Sequence, residues 1–356
     1  MYYDGTLRPG AQTVVATLAA RPKTELTDKF GRRIRNLRVS ITDRCNFRCT
    51  YCMPAEGLDW LPKAEILTYE EIERLVRMFV GLGVEEIRLT GGEPTVRKDL
   101  PTLIRMLAPL RADGLKSLSL TTNGILLEKL ACDLADAGLT RINVSLDTLD
   151  PDKFHTITRR RALDQVMGGL AALERYPTIS PIKVNAVAIR GFTTEEDVLA
   201  LAELARRKPY VIRFIEYMPL DAEGNWDQSL VLAGDELREI VHRRWPLVPV
   251  PDIDPSSTSV VYRFADGRGE MGFINPVSHP FCATCDRIRL TADGQLRTCL
   301  FSIDETDLKG PLRAGASDDD LIEIVRAAVW EKEKKHKINE GEAFQRASRS
   351  MSQIGG

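Results

Sequence analysis

Six short β-branched runs alternate with amphipathic stretches between residues 37 and 216, and this alternation constrains the fold more than any other feature. The runs predict strands at 37–42, 85–90, 117–122, 141–147, 182–189 and 211–216. The stretches between them predict helices near 69–82, 99–112, 125–137, 161–175 and 195–207. Repeated strand–helix units imply parallel strands joined by right-handed crossovers. We therefore expect an α/β fold, an incomplete (βα)6 barrel of the TIM type. A doubly wound open sheet is the alternative that periodicity leaves open.

The pattern changes after Met218, where loop-rich sequence with many prolines replaces the regular units. We expect one helix near 234–243 and another at 318–336 in this part of the chain. The sequence thus predicts a flexible N-terminal extension, a barrel, and a C-terminal extension that carries a second cysteine triplet. These regions span 1–26, 27–220 and 221–356.

Charge and hydropathy exclude several classes of protein. Lys and Arg number 49 against 51 Asp and Glu, and the net charge of −2 argues against general binding of nucleic acid or anionic membranes. No window approaches the roughly 18 consecutive apolar residues of a membrane span. Residues 1–36 lack the apolar core and cleavage signature of a secretory signal. We expect a cytoplasmic globular protein.

Seven cysteines carry the chemical information, and six of them form two triplets near opposite ends of the chain. An odd number without an export signal argues against a framework of disulfides. Cys132 stands alone in a stretch with helical periodicity, where we expect a buried and inert core thiol.

The first triplet directly follows the first predicted strand, in the segment ITDRCNFRCTYCMP. Cys45, Cys49 and Cys52 are spaced C-x3-C-x2-C, and three thiolates in so short a loop can wrap one side of a four-iron cubane. The fourth iron is then open for a small chelating ligand. A structural zinc site needs a fourth protein ligand, and no histidine or further cysteine lies near this loop.

This spacing, with the aromatic Tyr51 before the third cysteine, resembles the signature of the radical S-adenosylmethionine (SAM) superfamily. The resemblance implies a partial barrel and a 4Fe–4S cluster whose open iron is chelated by the amino and carboxylate groups of SAM. It implies that one electron cleaves SAM to a 5′-deoxyadenosyl radical, which abstracts hydrogen from the substrate. Residues 90–94, TGGEP, resemble the family's GGEP motif. By motif position, the resemblance assigns SAM contacts to Tyr51, Gly92, Ser145 and Met218.

The second triplet has the spacing C-x2-C-x13-C, in the segment HPFCATCDRIRLTADGQLRTCLF. Cys282, Cys285 and Cys299 again supply three ligands. His279 lies three residues before Cys282, so the spacing alone allows two interpretations of the metal site. One is a zinc site of one histidine and three cysteines, and the other is a second iron–sulfur cluster with an open iron.

Three segments resemble the GTP 3′,8-cyclase family of molybdenum cofactor biosynthesis: LRVSITDRCNFRCTYCMP, FCATCDRIRLTADGQLRTCLF and the terminal FQRASRSMSQIGG. The resemblance runs from about residue 27 to 356 and favours a second 4Fe–4S cluster over zinc. It implies that hydrogen is removed from ribose C3′ of GTP and that C3′ attacks guanine C8. Reduction then gives 3′,8-cyclo-7,8-dihydro-GTP.

Basic residues gain a role from this resemblance. Arg287 and Arg289 alternate with Ile288 in an extended segment, and arginine forks match the oxygens of a triphosphate. The resemblance assigns GTP contacts to Arg38, Arg88, Thr121, Lys183, Arg287, Ile288 and Arg289. It assigns catalytic roles to Arg38, Arg287, Arg289, Gly355 and Gly356, the two glycines reaching into the substrate cavity.

The resemblance also implies partners. An external donor supplies the electron, the second cluster anchors the purine, and a cyclic pyranopterin monophosphate synthase consumes the product. The chain is expected to be a monomer or a homodimer. Two alternatives stay open at this point: a peptide-modifying radical SAM maturase with an auxiliary cluster, and a non-catalytic zinc-binding module.

Overall fold

Six parallel strands lie side by side in the order in which they occur along the chain. The computed structural model describes residues 25–251, 254–341, 344–347 and 349–355. The strands are β1 Asn36–Ser40, β2 Glu86–Thr90, β3 Ser117–Thr122, β4 Arg141–Ser145, β5 Ile182–Ala188 and β6 Tyr210–Glu216. Each pairs in parallel with the next. A doubly wound sheet would reverse this order at its switch point. The predicted partial barrel is therefore confirmed.

Helices connect these strands. They are α1 Tyr69–Gly81, α2 Leu100–Leu107, α3 Leu127–Asp136, α4 Pro151–Thr158, α5 Leu163–Leu173 and α6 Glu195–Arg207. Capping boxes begin α1 and α6, where the side chains of Thr68 and Thr194 accept from the backbone three residues on. Helix α4 was not predicted, although Asp150-Pro151 gives a start signal: the Asp150 carboxylate caps the first turn and proline takes the first helical position.

The C-terminal part of the chain extends the sheet at both edges. Its strands are β7 Leu247–Pro249, β8 Val260–Phe264, β9 Glu270–Ile274, β10 Arg287–Leu290, β11 Gln295–Arg297 and β12 Thr306–Asp307. Strand β10 pairs in parallel with β1, and β9 pairs in parallel with β6. The second cysteine triplet is thereby brought beside β1, the strand that leads into the first triplet.

The remaining described helices are α7 Gly234–Arg244, α8 Lys309–Arg313, α9 Asp318–Trp330 and α10 Met351–Ile354. The prediction of one helix over 318–336 was wrong at its C-terminal end. Helix α9 ends at Trp330, and two residues later the side chain of Lys332 is almost completely buried. The helix stops because the chain turns inward at this point.

Apolar and polar side chains alternate along the barrel strands. Leu37 and Val39 on β1 are fully buried in the core between sheet and helices, whereas Arg38 between them lines the interior of the barrel. On β5, Val184 belongs to the same core and Asn185 lines the interior. The hydrophobic core thus lies outside the sheet, and the polar side chains of the strands face the interior together with apolar ones such as Val187 and Ile215.

Two sequence expectations fail at the edges of this core. Cys132 is exposed, because Ala131 and Leu134 form the core-facing side of α3 and Cys132 lies next to that side, toward solvent. Leu26 was predicted to belong to a flexible extension, but its side chain is buried in the core. The rest of that extension, residues 1–24, lies outside the described residues.

None of the helices in the described part of the chain combines the length and the hydropathy that crossing a bilayer requires.

Candidate active site

Both cysteine triplets face one cavity inside the barrel, with a volume of about 290 Å³. The cavity is lined by Cys45, Cys49, Cys52, Cys282, Cys285 and Cys299. The first three follow β1, and the others lie on either side of β10 and β11. Pairing of β10 with β1 therefore explains why segments more than 200 residues apart form a single site.

The loop of the first triplet packs directly on the glycines that follow β2. The amide of Gly92 donates to the carbonyl of Thr42 at 2.8 Å, and the amide of Glu93 donates to the carbonyl of Arg44 at 2.8 Å. A Cβ atom at Gly91 would strike the Thr42 carbonyl, and one at Gly92 would strike the Arg44 carbonyl. Both positions thus need glycine because another backbone approaches so closely.

Glu93 fixes this glycine loop to the end of β3. Its carboxylate is almost fully buried and accepts from the Thr122 hydroxyl at 2.6 Å, the Asn123 amide at 2.6 Å and the Thr95 amide at 3.0 Å. Burial raises the pKa of Glu93 above its ordinary value, although these hydrogen bonds oppose the shift. The GGEP segment is therefore a rigid part of the cavity wall.

The donor set of the first triplet fits an iron–sulfur cluster. Burial raises the pKa of Cys45 to about 12 and that of Cys52 to about 11, so a thiolate here requires a cationic partner. The Cys45 sulfur accepts from the Phe47 amide at 3.4 Å. The Cys52 sulfur accepts from the amide and the hydroxyl of Ser352 near the C-terminus. Hydrogen bonds to the sulfurs are typical of protein-bound clusters.

The second triplet lies in a more cationic environment. Burial opposes ionisation of Cys285, but the neighbouring charges of Lys332 and Arg287 outweigh it and lower the pKa of Cys285 to about 7. The Cys282 sulfur accepts from the His336 amide. These contacts favour the thiolate form that an iron cluster binds.

His279, the fourth ligand of the zinc alternative, lies away from these cysteines. Its Nε2 atom is 2.8 Å from a carboxylate oxygen of Asp235, and both side chains are mostly exposed. Nor do any three His, Cys, Asp or Glu side chains in the described ranges converge closely enough to hold one metal ion.

The residues expected to bind SAM surround the first triplet. Tyr51, Gly92, Ser145 and Met218 all line the cavity. The Tyr51 hydroxyl donates to Asp147 at 2.9 Å, and the other carboxylate oxygen of Asp147 accepts from the Val187 amide at 2.8 Å. Burial raises the pKa of Asp147 to about 6.

Four arginines expected to bind the triphosphate converge in the cavity: Arg38, Arg88, Arg287 and Arg289. Burial and mutual repulsion lower the pKa of Arg38 well below its ordinary value, and Arg289 and Arg88 are the neighbours that contribute most. The Nε atoms of Arg38 and Arg88 and an Nη atom of Arg287 are buried without a hydrogen-bond partner. Buried, unpaired cationic donors are the environment that a polyanion satisfies.

Three other expected GTP contacts differ in position. Thr121 lines the cavity and accepts from the Asn143 side chain at 3.3 Å. Ile288 faces away into the hydrophobic core, as alternation along β10 requires, and its side chain does not line the cavity. Lys183 also does not line it, because it lies on β5 one inward position before Asn185. Burial lowers the pKa of Lys183 to about 8, with Arg213 the next contributor.

The C-terminal tail enters the same cavity. The carbonyl of Gly355 accepts from the Arg289 guanidinium, and the carbonyl of Ile354 accepts from the Ser40 hydroxyl at 3.0 Å. Gly355 has a φ of 87°, and a Cβ there would collide with the Ser40 hydroxyl. Met351 and Ser352 of the tail line the cavity, and the Gly355 carbonyl contacts Arg289 at its wall. Gly356 lies outside the described residues.

Two family models match the chain: Radical SAM superfamily over residues 39–205 and Molybdenum Cofactor Synthesis C over residues 210–338. A GTP 3′,8-cyclase of Moorella thermoacetica is 47% identical over 93% of this chain and 100% of its own length. One of Rhodopirellula baltica is 47% identical over 93% of this chain and 92% of its own length. The chain belongs to the GTP 3′,8-cyclase family. Human molybdenum cofactor biosynthesis protein 1 is 45% identical over 87% of this chain, which spans 48% of that protein.

Among solved structures, the likeness concerns the fold alone. Streptococcus suis SuiB bound to precursor peptide SuiA superposes with a TM-score of 0.60 at 15% identity, over 92% of this chain and 78% of that chain. The GTP 3′,8-cyclases are 47% identical to this chain, about three times the identity of the peptide-bound SuiB. Membership of the GTP 3′,8-cyclase family therefore replaces the alternatives of a peptide maturase and a zinc module.

Several residues of this GTP 3′,8-cyclase site were missed by sequence reasoning. Asp147, Asn185, Arg213, His336 and Ser352 all line the cavity. Asp147 is the last residue of the predicted strand 141–147, and Asn185 lies within the predicted strand 182–189; the inward direction of alternate residues gives a usable signal at both. His336 and Ser352 gave no such signal, because their positions depend on how the C-terminal segments cross the barrel mouth.

Proposed function

We propose that this member of the GTP 3′,8-cyclase family converts GTP to 3′,8-cyclo-7,8-dihydro-GTP, using two 4Fe–4S clusters and SAM, as the first step of molybdenum cofactor biosynthesis. One observation carries the proposal: two cysteine triplets and a set of buried arginines line a single cavity. A cavity with those three components suits a reaction in which SAM and a nucleotide triphosphate must lie side by side.

Cys45, Cys49 and Cys52 would hold the first cluster, which with bound SAM supplies a 5′-deoxyadenosyl radical. The chain's own residues position the SAM molecule. Gly91 and Gly92 expose backbone next to the cysteine loop, and Glu93 keeps that backbone rigid. Tyr51 in the cysteine loop and Asp147 just after β4 form a hydrogen-bonded part of the cavity wall.

The arginines position the other substrate. Arg38, Arg287 and Arg289 would bind phosphate oxygens through guanidinium groups that repel one another in the empty cavity. Binding of a polyanion relieves that repulsion. Cys282, Cys285 and Cys299 would hold the second cluster, which would anchor the purine and so fix the ribose near the first triplet. Enclosure by the barrel excludes water from the reacting atoms.

The tail completes the substrate side. The Gly355 carbonyl holds the guanidinium of Arg289, and the Ser352 amide and hydroxyl contact the sulfur of Cys52. The same short segment thus touches a residue of each half of the site. We assign the tail the role of orienting Arg289 while it closes the barrel.

The proposed enzyme consists of two parts and acts with two partners. Residues 27–220 form the radical SAM barrel, and residues 221–356 supply the second triplet, the arginines of β10 and the tail. An external electron donor reduces the enzyme, and a cyclic pyranopterin monophosphate synthase consumes the product. The enzyme works in the cytoplasm as a monomer or homodimer.

The test is anaerobic incubation of reconstituted protein with SAM, dithionite and GTP, followed by analysis of nucleoside products. We expect 5′-deoxyadenosine and a cyclised nucleotide in equal amounts. Formation of 5′-deoxyadenosine without any cyclised nucleotide would overturn the substrate assignment and leave the radical chemistry standing. Absence of both products would overturn the whole proposal.

A further inference from the structure

Lys332 is an ammonium group buried against the second cysteine triplet. Its residue is 1% exposed, and it follows the end of α9 by two positions. Lysine is among the residues least often buried in proteins, and burial of its charge is costly unless an opposite charge compensates it. The position of Lys332 therefore calls for an explanation.

The hydrogen bonds of Lys332 do not neutralise its charge. Its Nζ atom donates to the backbone carbonyl of Arg287 at 3.0 Å and to the carbonyl of Thr298. The adjacent carboxylate of Glu333 accepts instead from the hydroxyls of Thr298 and Ser302. Across the described residues, both acceptors recorded for this ammonium are thus carbonyl oxygens.

The two carbonyls that hold Lys332 belong to residues next to the cysteines in sequence, at the start of β10 and just after β11. Arg287 follows Cys285 by two residues, and Thr298 directly precedes Cys299. Lys332 thereby joins the two segments that carry the cysteines through hydrogen bonds, and its charge lies next to both segments.

Neighbouring residues hold this lysine in place. The Arg32 guanidinium donates to the carbonyls of Cys282, Glu333 and Lys334, so it joins the start of the second triplet to the segment that carries Lys332. Asp28 in turn holds Arg32 through a buried ion pair. The ammonium is therefore fixed relative to the cysteines and does not depend on a mobile side chain.

We propose that Lys332 is the buried counter-charge of the second iron–sulfur cluster, positioning its cysteine loops and stabilising its reduced, more negative state. This inference rests on the proposed function, since it requires a cluster on the second triplet. A fixed positive charge near a cluster raises its reduction potential, because net charge in the surroundings is one of the determinants of that potential. Both carbonyls that hold Lys332 lie within two residues of a cysteine of the second triplet, so we expect its effect on the second cluster and not on the first.

The test compares four variants of the full-length, reconstituted protein without GTP or SAM. Lys332→Met removes charge and donors, Lys332→Gln keeps an N–H donor without charge, and Lys332→Arg keeps the charge. Lys334→Met, at an exposed lysine two residues away, is the matched control. Each cluster's reduction potential is measured by redox titration with electron paramagnetic resonance, and iron release to a ferrous chelator is followed in parallel.

We expect the potential of the second cluster to become more negative in the Met and Gln variants and its iron to be released about 10- to 100-fold faster. The first cluster, the Arg variant and the Lys334 control should keep wild-type values. The inference would be overturned if the potential and iron release of the second cluster were unchanged in the Gln variant. It would also be overturned if both clusters changed equally, including loss of both on misfolding.

Failure of this inference is distinguishable from failure of the proposed function. A wild-type protein that assembles no second cluster contradicts the proposed function itself. A wild-type protein that assembles the second cluster, but whose cluster is indifferent to Lys332→Gln, contradicts the role of Lys332 alone.

Discussion

Individual arginines in this site are held in positions that are unfavourable in the free protein and that a bound triphosphate would make favourable. Arg38 and Arg88 are half-buried cations whose Nε atoms are buried without a partner, and burial lowers the pKa of both. Buried donors without acceptors are unfavourable in the free protein. A triphosphate supplies both the missing acceptors and the negative charge. The arrangement that is unfavourable in the free protein therefore favours binding of a polyanion.

Replacement of Arg287 by alanine tests this argument directly. The loss of one charge-assisted hydrogen bond, worth about 1.5–3 kcal/mol, should raise the dissociation constant for GTP about 10- to 100-fold. The matched control is Arg263→Ala, an exposed arginine of β8 paired with Glu270. Isothermal titration with GTP and GMP measures the effect, which should be smaller for the monophosphate. Equal affinities of the two variants for GTP would contradict the assignment.

Lys183 allows a prediction of pH dependence. Its pKa is lowered to about 8, mainly by burial, whereas a lysine in an unfolded chain titrates near about 10.4. Between these values the unfolded chain holds more protons, so the free energy of unfolding rises with pH through this window. Lys183→Met should therefore be more stable than wild type at pH 7, on the order of 2–3 kcal/mol. The difference should shrink as the pH rises from 8 toward 10.

Thermal midpoints at pH 7 and at about pH 10 check this expectation. Lys129→Met, at an exposed lysine of α3, is the control and should show no pH-dependent difference from wild type. A Lys183→Met protein that is less stable than wild type at both pH values would show that the ammonium is satisfied in the folded state.

Residue positions were predictable where spacing carries the chemistry. The spacing of the first triplet favours a cluster, whereas the spacing of the second left zinc open until the resemblance was considered. Alternation in one extended segment placed Arg287 and Arg289 on one face, and both line the cavity. Ile288 fails by the same alternation, because the residue between two inward arginines must face outward. Lys332 could not be predicted, because its sequence context is that of an ordinary solvated helix end. Only the turn after Trp330 directs it inward.

At the scale of elements, the C-terminal tail is the segment on which the site most depends. Helix α10 is only four residues long, yet the helix and the following Gly355 contact Ser40 at the end of β1, Arg289 on β10 and Cys52 in the first loop. Arg349 anchors the start of this segment through ion pairs with Asp293 and Glu305. A tail held at both ends can orient a side chain between them.

A methyl group at Gly355 should disrupt this arrangement. Gly355→Ala adds a Cβ that would collide with the Ser40 hydroxyl, so the Gly355 carbonyl should leave Arg289. We expect formation of the cyclised nucleotide to fall at least about tenfold, equivalent to about 1.4 kcal/mol. Gly315→Ala is the matched control, because Gly315 has the same φ of 87° and open space around its Cβ position.

The control should lose only stability, by about 1–2 kcal/mol for a left-handed alanine, and should keep full product formation. Product analysis and thermal unfolding of both variants separate the two effects. Full activity of Gly355→Ala would show that the tail is not part of the site.

Elements were predictable where they are long and periodic. Strands β1 to β6 combine an apolar face toward the helices with regular turns, and their boundaries agree with the sequence patterns to within a few residues. Among the C-terminal strands only β10 was expected, as an extended segment; the others were missed because they are two to five residues long. The pairing of β10 with β1 and of β9 with β6 depends on tertiary packing, which local sequence does not encode.

At the scale of the whole molecule, the sheet extension is what creates the site. The chain leaves the barrel after β6, adds β9 beside it, and then crosses to the opposite edge to add β10 beside β1. The two triplets thus meet in one cavity although the barrel itself contains only one. The radical SAM barrel therefore supplies half of the site, and the C-terminal part supplies the other half.

This division predicts the iron content of the protein. Anaerobically reconstituted wild-type protein should bind about eight irons and about eight sulfides per chain, as two 4Fe–4S clusters require. Replacement of Cys45, Cys49 and Cys52 together by alanine should leave about four of each, and so should replacement of Cys282, Cys285 and Cys299. Iron and acid-labile sulfide analysis measures both. Two zincs without sulfide would refute the cluster assignment.

The central claim is that the cavity holds the ribose of GTP within reach of the radical formed at the first triplet. Incubation with SAM, dithionite and GTP deuterated at C3′ tests it most directly, with mass spectrometry of the 5′-deoxyadenosine that forms. We predict that the deuterium appears in 5′-deoxyadenosine and that the cyclised nucleotide has lost it. Unlabelled 5′-deoxyadenosine, formed while the GTP is consumed, would contradict the account.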